Sequence, residues 1–217
     1  MKAVHEHEWE AQPGLPEALP ANERILWQGQ PLVASLAIHA FHIRKVALYF
    51  LVMWAWQAVV LLDDHVDRRL VVEQLMVSTV LIAVALLSLW GAAWWSAKTT
   101  LYTITDRRVV MRIGIVLSVT FNLPFRQIKA AHLKPCSTGT GDIAIELSPS
   151  ARIGWFHLWP HQRAWHLKHP QPTMRSLANA DQVSQTLGMA WHRCQERSTL
   201  ERRAPELTSV DLQEVAA

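Results

Sequence analysis

Two stretches without a single charge constrain this chain more than any other feature. Val46 to Leu62 runs 17 residues with one polar amide, Gln57, and Leu75 to Trp95 runs 21 residues. As an α-helix rising about 1.5 Å per residue, the first reaches roughly 26 Å, slightly short of a ~30 Å hydrocarbon core, and the second spans unaided. The mostly apolar stretch Leu32 to Ile43 lets the first helix begin earlier and hold Arg44 and Lys45 at the headgroups. Buried in a soluble fold, two helices apolar all round would need more covering surface than the rest of 217 residues supplies. The expectation is a membrane hairpin with spans at about 46–62 and 75–95.

Basic residues orient that hairpin. Arg44 and Lys45 precede the first span, and Lys98, Arg107, Arg108 and Arg112 follow the second. The connecting loop carries only Arg68 and Arg69 beside Asp63, Asp64 and Asp67. Positive charge stays on the cytoplasmic side, so both termini are expected there, in a multi-pass protein of a bacterial inner membrane. Trp94 and Trp95 at the end of the second run suit an interfacial aromatic belt, with Lys98 just beyond them. Acids and prolines occupy the N-terminus where a cleaved signal would place a basic stretch and an apolar core.

After residue 98 the pattern changes period. Thr99 to Thr105, Val109 to Arg112, Ile115 to Leu123, Ile128 to Leu133, Asp142 to Leu147 and Arg152 to Leu158 read as short strands separated by turn residues. Asn179 and Gln182 suggest a capping box. Val183, Leu187, Ala190, Trp191 and Cys194 then share one helical face that would pack on the strands. The expected fold class is α+β: a two-helix transmembrane hairpin plus an antiparallel β-barrel or sandwich closed by a C-terminal helix. Residues 1–22 form a flexible lead-in, 23–97 the membrane region, 98–195 the cytoplasmic domain and 196–217 a polar, frayed tail. Residues 98–175 hold eleven basic and three acidic side chains, a charge suited to anionic lipid or an acidic partner.

Candidate chemistry is sparse. Cys136 and Cys194 have neither disulfide nor zinc-site spacing. Gly139-Thr140-Gly141 lacks the rest of a phosphate loop and reads as a hairpin turn. No set of nucleophile, base and oxyanion donor can be assembled, so no catalytic residue and no enzyme activity are expected. His157, His161, His166 and His169 lie among Trp159 and Trp165. With no Cys or carboxylate nearby they suggest a surface loop that contacts a partner or the membrane, not a metal site. His39 and His42, three apart, would share a helix face near the membrane surface, where neutral imidazole could ligate a chlorophyll magnesium. No cofactor is expected, but these two are the pigment candidates.

Glu23 to Pro31, the hairpin, and then Tyr102-Thr103-Ile104-Thr105-Asp106-Arg107-Arg108-Val109-Val110 with Gly114 resemble the bacterial pleckstrin-homology-like membrane proteins. His42 to Phe50, Asn122 to Ile128, and Leu158-Trp159-Pro160-His161 with Arg163 and Trp165 are similar, more narrowly, to the photosynthetic-complex assembly proteins of purple bacteria. That resemblance covers about residues 15–195. It implies a non-catalytic scaffold whose partners are reaction-centre and core light-harvesting subunits and membrane lipid. No nucleic acid is implied, and a homodimer is left open. Trp159, His161, Arg163 and Trp165 are the expected partner-binding residues. A bacteriochlorophyll-handling factor and a lipid-binding module are the alternatives.

Overall fold

The computed structural model describes residues 15, 19–63, 67–114, 118–136, 139–148, 153–154, 158–163, 166 and 170–214, with backbone alone from 201 onward. Strand β1 (Ile25–Gly29) comes first, then a short helix α1 (Val33–His39) and two long ones, α2 (Ile43–Asp63) and α3 (Arg68–Thr99). Six strands follow: β2 (Leu101–Thr105), β3 (Arg108–Ile113), β4 (Val119–Pro124), β5 (Ile128–Pro135), β6 (Thr140–Leu147) and β7 (Thr173–Ala178). Helix α4 (Ala180–Glu214) ends the described chain.

Strands β1 to β4 form one antiparallel sheet in chain order, and β5 to β7 form a second. Among the described residues the sheets do not join edge to edge, so of the two expected forms the fold is an open, packed pair of sheets and not a closed barrel. Pro124 ends β4, and a single 3-10 turn, Phe125–Gln127, carries the chain to the other sheet with Phe125 sunk in the core. Between the sheets lie Tyr102, Ile104, Met111, Leu123, Ile143, Ile145, Met174 and Leu177. Helix α4 covers them with Val183, Leu187 and Ala190, and Trp191 and Cys194 sit at its margin. That is the face its 3.6-residue spacing predicts.

Two strands depart from the sequence reading. β1 pairs with β2 across the whole helical hairpin, so the sheets draw on residues from both sides of it and begin before residue 98. Glu23, just ahead of β1, anchors this return: its buried carboxylate accepts two bonds from Arg108, 2.7 Å from Nε and 2.9 Å from Nη2. β7 was not expected. Its register slips against β6, and Ser176 sits at φ +54° with its N–H on Asp142 Oδ1 at 2.8 Å. The slip turns both Met174 and Leu177 inward, three apart, which erases the period-two pattern of a strand. The strand expected at Arg152 to Leu158 lies mostly outside the described residues, and Leu158 is buried in a turn.

Helices α2 and α3 run antiparallel, joined by hydrogen bonds at mid-length. Trp54 Nε1 donates to Thr79 Oγ1 at 3.0 Å and Ser78 Oγ donates to Gln57 Oε1 at 2.8 Å. Asp67 caps α3 by accepting the Arg69 N–H at 3.2 Å, which accounts for one acid of the loop. Large apolar side chains stand outward all along the pair, among them Trp56 at 68% and Leu87 at 69% exposure. Both helices are long and apolar enough to cross a membrane. At its C-terminal end α3 docks on the sheets, burying Ala93, Ser96 and Ala97.

At the other end, α4 begins from Asn179 at φ +52°, whose carbonyl accepts from the Gln182 and Val183 N–H groups. An extended N-cap residue would instead supply its side chain, so the expected capping box is replaced by a backbone start. The helix also continues past Ser198, where a frayed tail was expected.

Candidate functional site

Where the helix pair meets the second sheet, a cleft of about 1180 Å³ opens. Its walls come from three places: the junction of α1 and α2, the neighbouring parts of β5 to β7, and the turn around Trp159. Helix α1 is fastened to the sheet by the Leu32 N–H on the Ser176 carbonyl and by a buried Ser35–Thr140 hydroxyl pair, both at 2.9 Å. Leu36 and Ala37 are fully buried beneath it. The chain then breaks, because His42 takes φ +54° and its carbonyl receives the Lys45 and Val46 N–H groups that open α2. This kink replaces the continuous helix expected from Leu32 onward. It also separates His39 and His42, which share no helix face, although both line the cleft.

The lining is strongly cationic. Arg44 and Lys45 enter from the first turn of α2, Lys134 from β5, Arg163 from the loop and Arg175 from β7. Among the described lining residues Asp142 is the single acid, and its carboxylate is already engaged by the Ser176 N–H. Arg163 is set by donating from Nη1 to Gln171 Oε1 at 2.9 Å and from its N–H to the Gln171 carbonyl at 3.0 Å. Arg175 donates from Nη2 to the Gln162 carbonyl at 2.6 Å. His132, itself part of the cleft wall, and Lys129 hold Glu146, and their hydrogen bonds keep its carboxyl below the usual range. Burial, helped by Asp142, pushes the Cys136 thiol up, so it is not an activated nucleophile. Such a site is built to attract negative charge.

Of the four residues expected to face a partner, Trp159 and Arg163 line the cleft. Trp159 is 47% exposed, its ring meeting Phe41 edge-on at 5.6 Å. His161 is the correction. It is fully buried, with Nδ1 2.6 Å from the Tyr102 hydroxyl and Nε2 3.3 and 3.2 Å from Ser96 and Thr100. The Tyr102 oxygen already accepts the Arg175 N–H at 3.1 Å, so its own proton goes to Nδ1 and the imidazole proton sits on Nε2. Burial first, then Arg175, pushes this histidine down to about 3, and burial raises Tyr102. The network ties the end of α3 to β2 and the loop. Trp165, His157 and His169 lie outside the described residues.

Trp94 and Trp95 are exposed at the end of α3, and Lys98 Nζ stands 5.9 Å over the Trp94 ring. Lys134, Asp142 and Arg175 were not singled out from the sequence. Lys134 sits on an ordinary-looking strand and Arg175 on the strand whose pattern is broken.

A family model described as "Bacterial PH domain" matches residues 33–190. The chain belongs to this family. The matched span runs from the start of α1 into α4 and so encloses the helix pair and all strands but β1. A Rhodobacter capsulatus relative, named as an uncharacterized 23.7 kDa protein in the puhA 5′ region, is 35% identical over 187 residues, 86% of this chain and 87% of the relative. Both findings agree with the resemblance to assembly proteins of the PuhB type. No solved structure matches.

Proposed function

We propose that this bacterial PH domain protein is a non-catalytic assembly factor of the photosynthetic inner membrane, acting on the reaction centre and its core light-harvesting ring. The observation that carries the reading is the position of its relative in the puhA 5′ region of a photosynthetic bacterium, which supports a role among photosynthesis genes. Helices α2 and α3 are taken as the membrane spans because their outward faces are apolar and uncovered. The start of α2 and the end of α3 then lie on the side of the sheets, for which the Lys and Arg distribution supports the cytoplasmic face. Small residues such as the exposed Gly91 and the half-buried Ala92, beside Ala93 that is buried within the chain, permit close helix approach, and Trp159 with Arg163 offers the side-chain types that anchor protein contacts.

A mild-detergent pull-down of tagged protein from photosynthetically growing cells tests this. Reaction-centre or light-harvesting subunits should be recovered, and fewer from a Trp159→Ala, Arg163→Ala variant. Recovery of none of these subunits would sink the assembly role. A pigment-handling reading draws on one observation, the buried His39 Nε2 without a partner. Bacteriochlorophyll bound stoichiometrically and lost in His39→Leu would favour it.

A further inference from the structure

We propose that the basic cleft receives the phosphate of an anionic membrane lipid, seated at headgroup level between the first turn of α2 and the second sheet. This rests on the membrane reading of α2 and α3, not on the assembly role. Two independent observations converge. Among the described lining residues five cations, Arg44, Lys45, Lys134, Arg163 and Arg175, stand against one carboxylate that is already bonded. Among the described residues, the buried polar atoms left without a partner include two nitrogens, His39 Nε2 and Arg175 Nε, both from residues lining this cleft. Unsatisfied atoms of this kind are rare in folded proteins and point to a ligand, ion or water that completes them. The chemistry also fits: guanidinium and ammonium donors serve the phosphate oxygens.

Location and shape select lipid over a soluble phosphate. Arg44 and Lys45 stand at the start of a membrane-length helix, the level at which basic side chains meet headgroups. The exposed Trp159 ring against Phe41 gives the cleft an aromatic flank, which glycerol and acyl carbons can cover and inorganic phosphate cannot. The volume, about 1180 Å³, exceeds what a lone phosphate needs and accommodates a headgroup with its glycerol.

The test uses the full chain in mild detergent, with lipid retention read by native mass spectrometry. Phosphatidylglycerol is compared with phosphatidylcholine of the same chains and with glycerol 3-phosphate. Phosphatidylglycerol should be retained about tenfold better than either. A Lys45→Gln, Lys134→Gln variant should lose about tenfold of that retention; both side chains are exposed, so the fold is spared. Arg107→Gln with Arg126→Gln, removing equal charge outside the cleft, should cost less than about threefold. Equal retention of the two lipids, or equal loss in the two variants, would overturn the site. Glycerol 3-phosphate bound as tightly as the lipid would overturn the lipid assignment. A chain found outside the membrane fraction after expression would overturn the membrane reading itself, an outcome the detergent titration cannot mimic.

Discussion

Burial and the neighbouring Arg175 hold His161 neutral down to about pH 3, whereas the unfolded chain titrates it near 6.5. Between those values the unfolded state takes up a proton that the folded state refuses. The contribution is therefore complete above pH 6.5 and is lost as pH falls toward 3. Thermal unfolding in detergent should show stability declining from pH 6.5 to 4, and His161→Gln should flatten that slope while costing about 2 kcal/mol at neutral pH. An unchanged slope would remove His161 as its source. Gly141 presents a different constraint: a Cβ there would lie 2.6 Å from the Ala180 Cβ at the start of α4. Gly141→Ala should lower stability by about 1–3 kcal/mol, read as a shift in denaturation midpoint. Neither role could be taken from the local sequence. A histidine among tryptophans reads as surface chemistry, and only the packing of Ser96, Thr100 and Tyr102 around it makes it internal.

At the scale of elements, α2 and α3 are legible because a membrane-length apolar run has few alternatives, and α4 because its buried stripe repeats at helical spacing. Their pairing is sharper than composition alone requires. Gln57, the one amide in its run, meets Ser78, and Trp54 meets Thr79. Gln57→Leu should weaken the helix pair by about 0.6–2 kcal/mol in detergent-driven unfolding, since an interhelical hydrogen bond in apolar surroundings contributes about that much. A variant as resistant as the parent would show that packing alone holds the pair. β7 escaped notice because its register slip breaks alternation. The α1–α2 break escaped because nothing short of the His42 conformation distinguishes two apolar helices from one.

For the whole molecule, the decisive fact is that the first sheet closes over an inserted hairpin, β1 lying beside β2 although some seventy residues separate them. Glu23 seals that return through Arg108. Glu23→Ala should destabilise the domain by about 2–3 kcal/mol because it strands a half-buried guanidinium. Deleting residues 1–30 should do more: β2 becomes an open edge, and size-exclusion chromatography in detergent should show association absent from the full chain. A monodisperse deletion variant would mean β1 is dispensable. The sequence by itself determined the apolar helix pair, most of the strands, the packing face of α4 and the family resemblance, because these rest on local periodicity and on motif residues contiguous in the chain. Tertiary structure alone decided the open pair of sheets, the burial of His161 and the gathering of Arg44, Lys45, Lys134, Arg163 and Arg175 around one cleft. Those depend on which distant segments meet, and side-chain spacing along the chain carries no record of it.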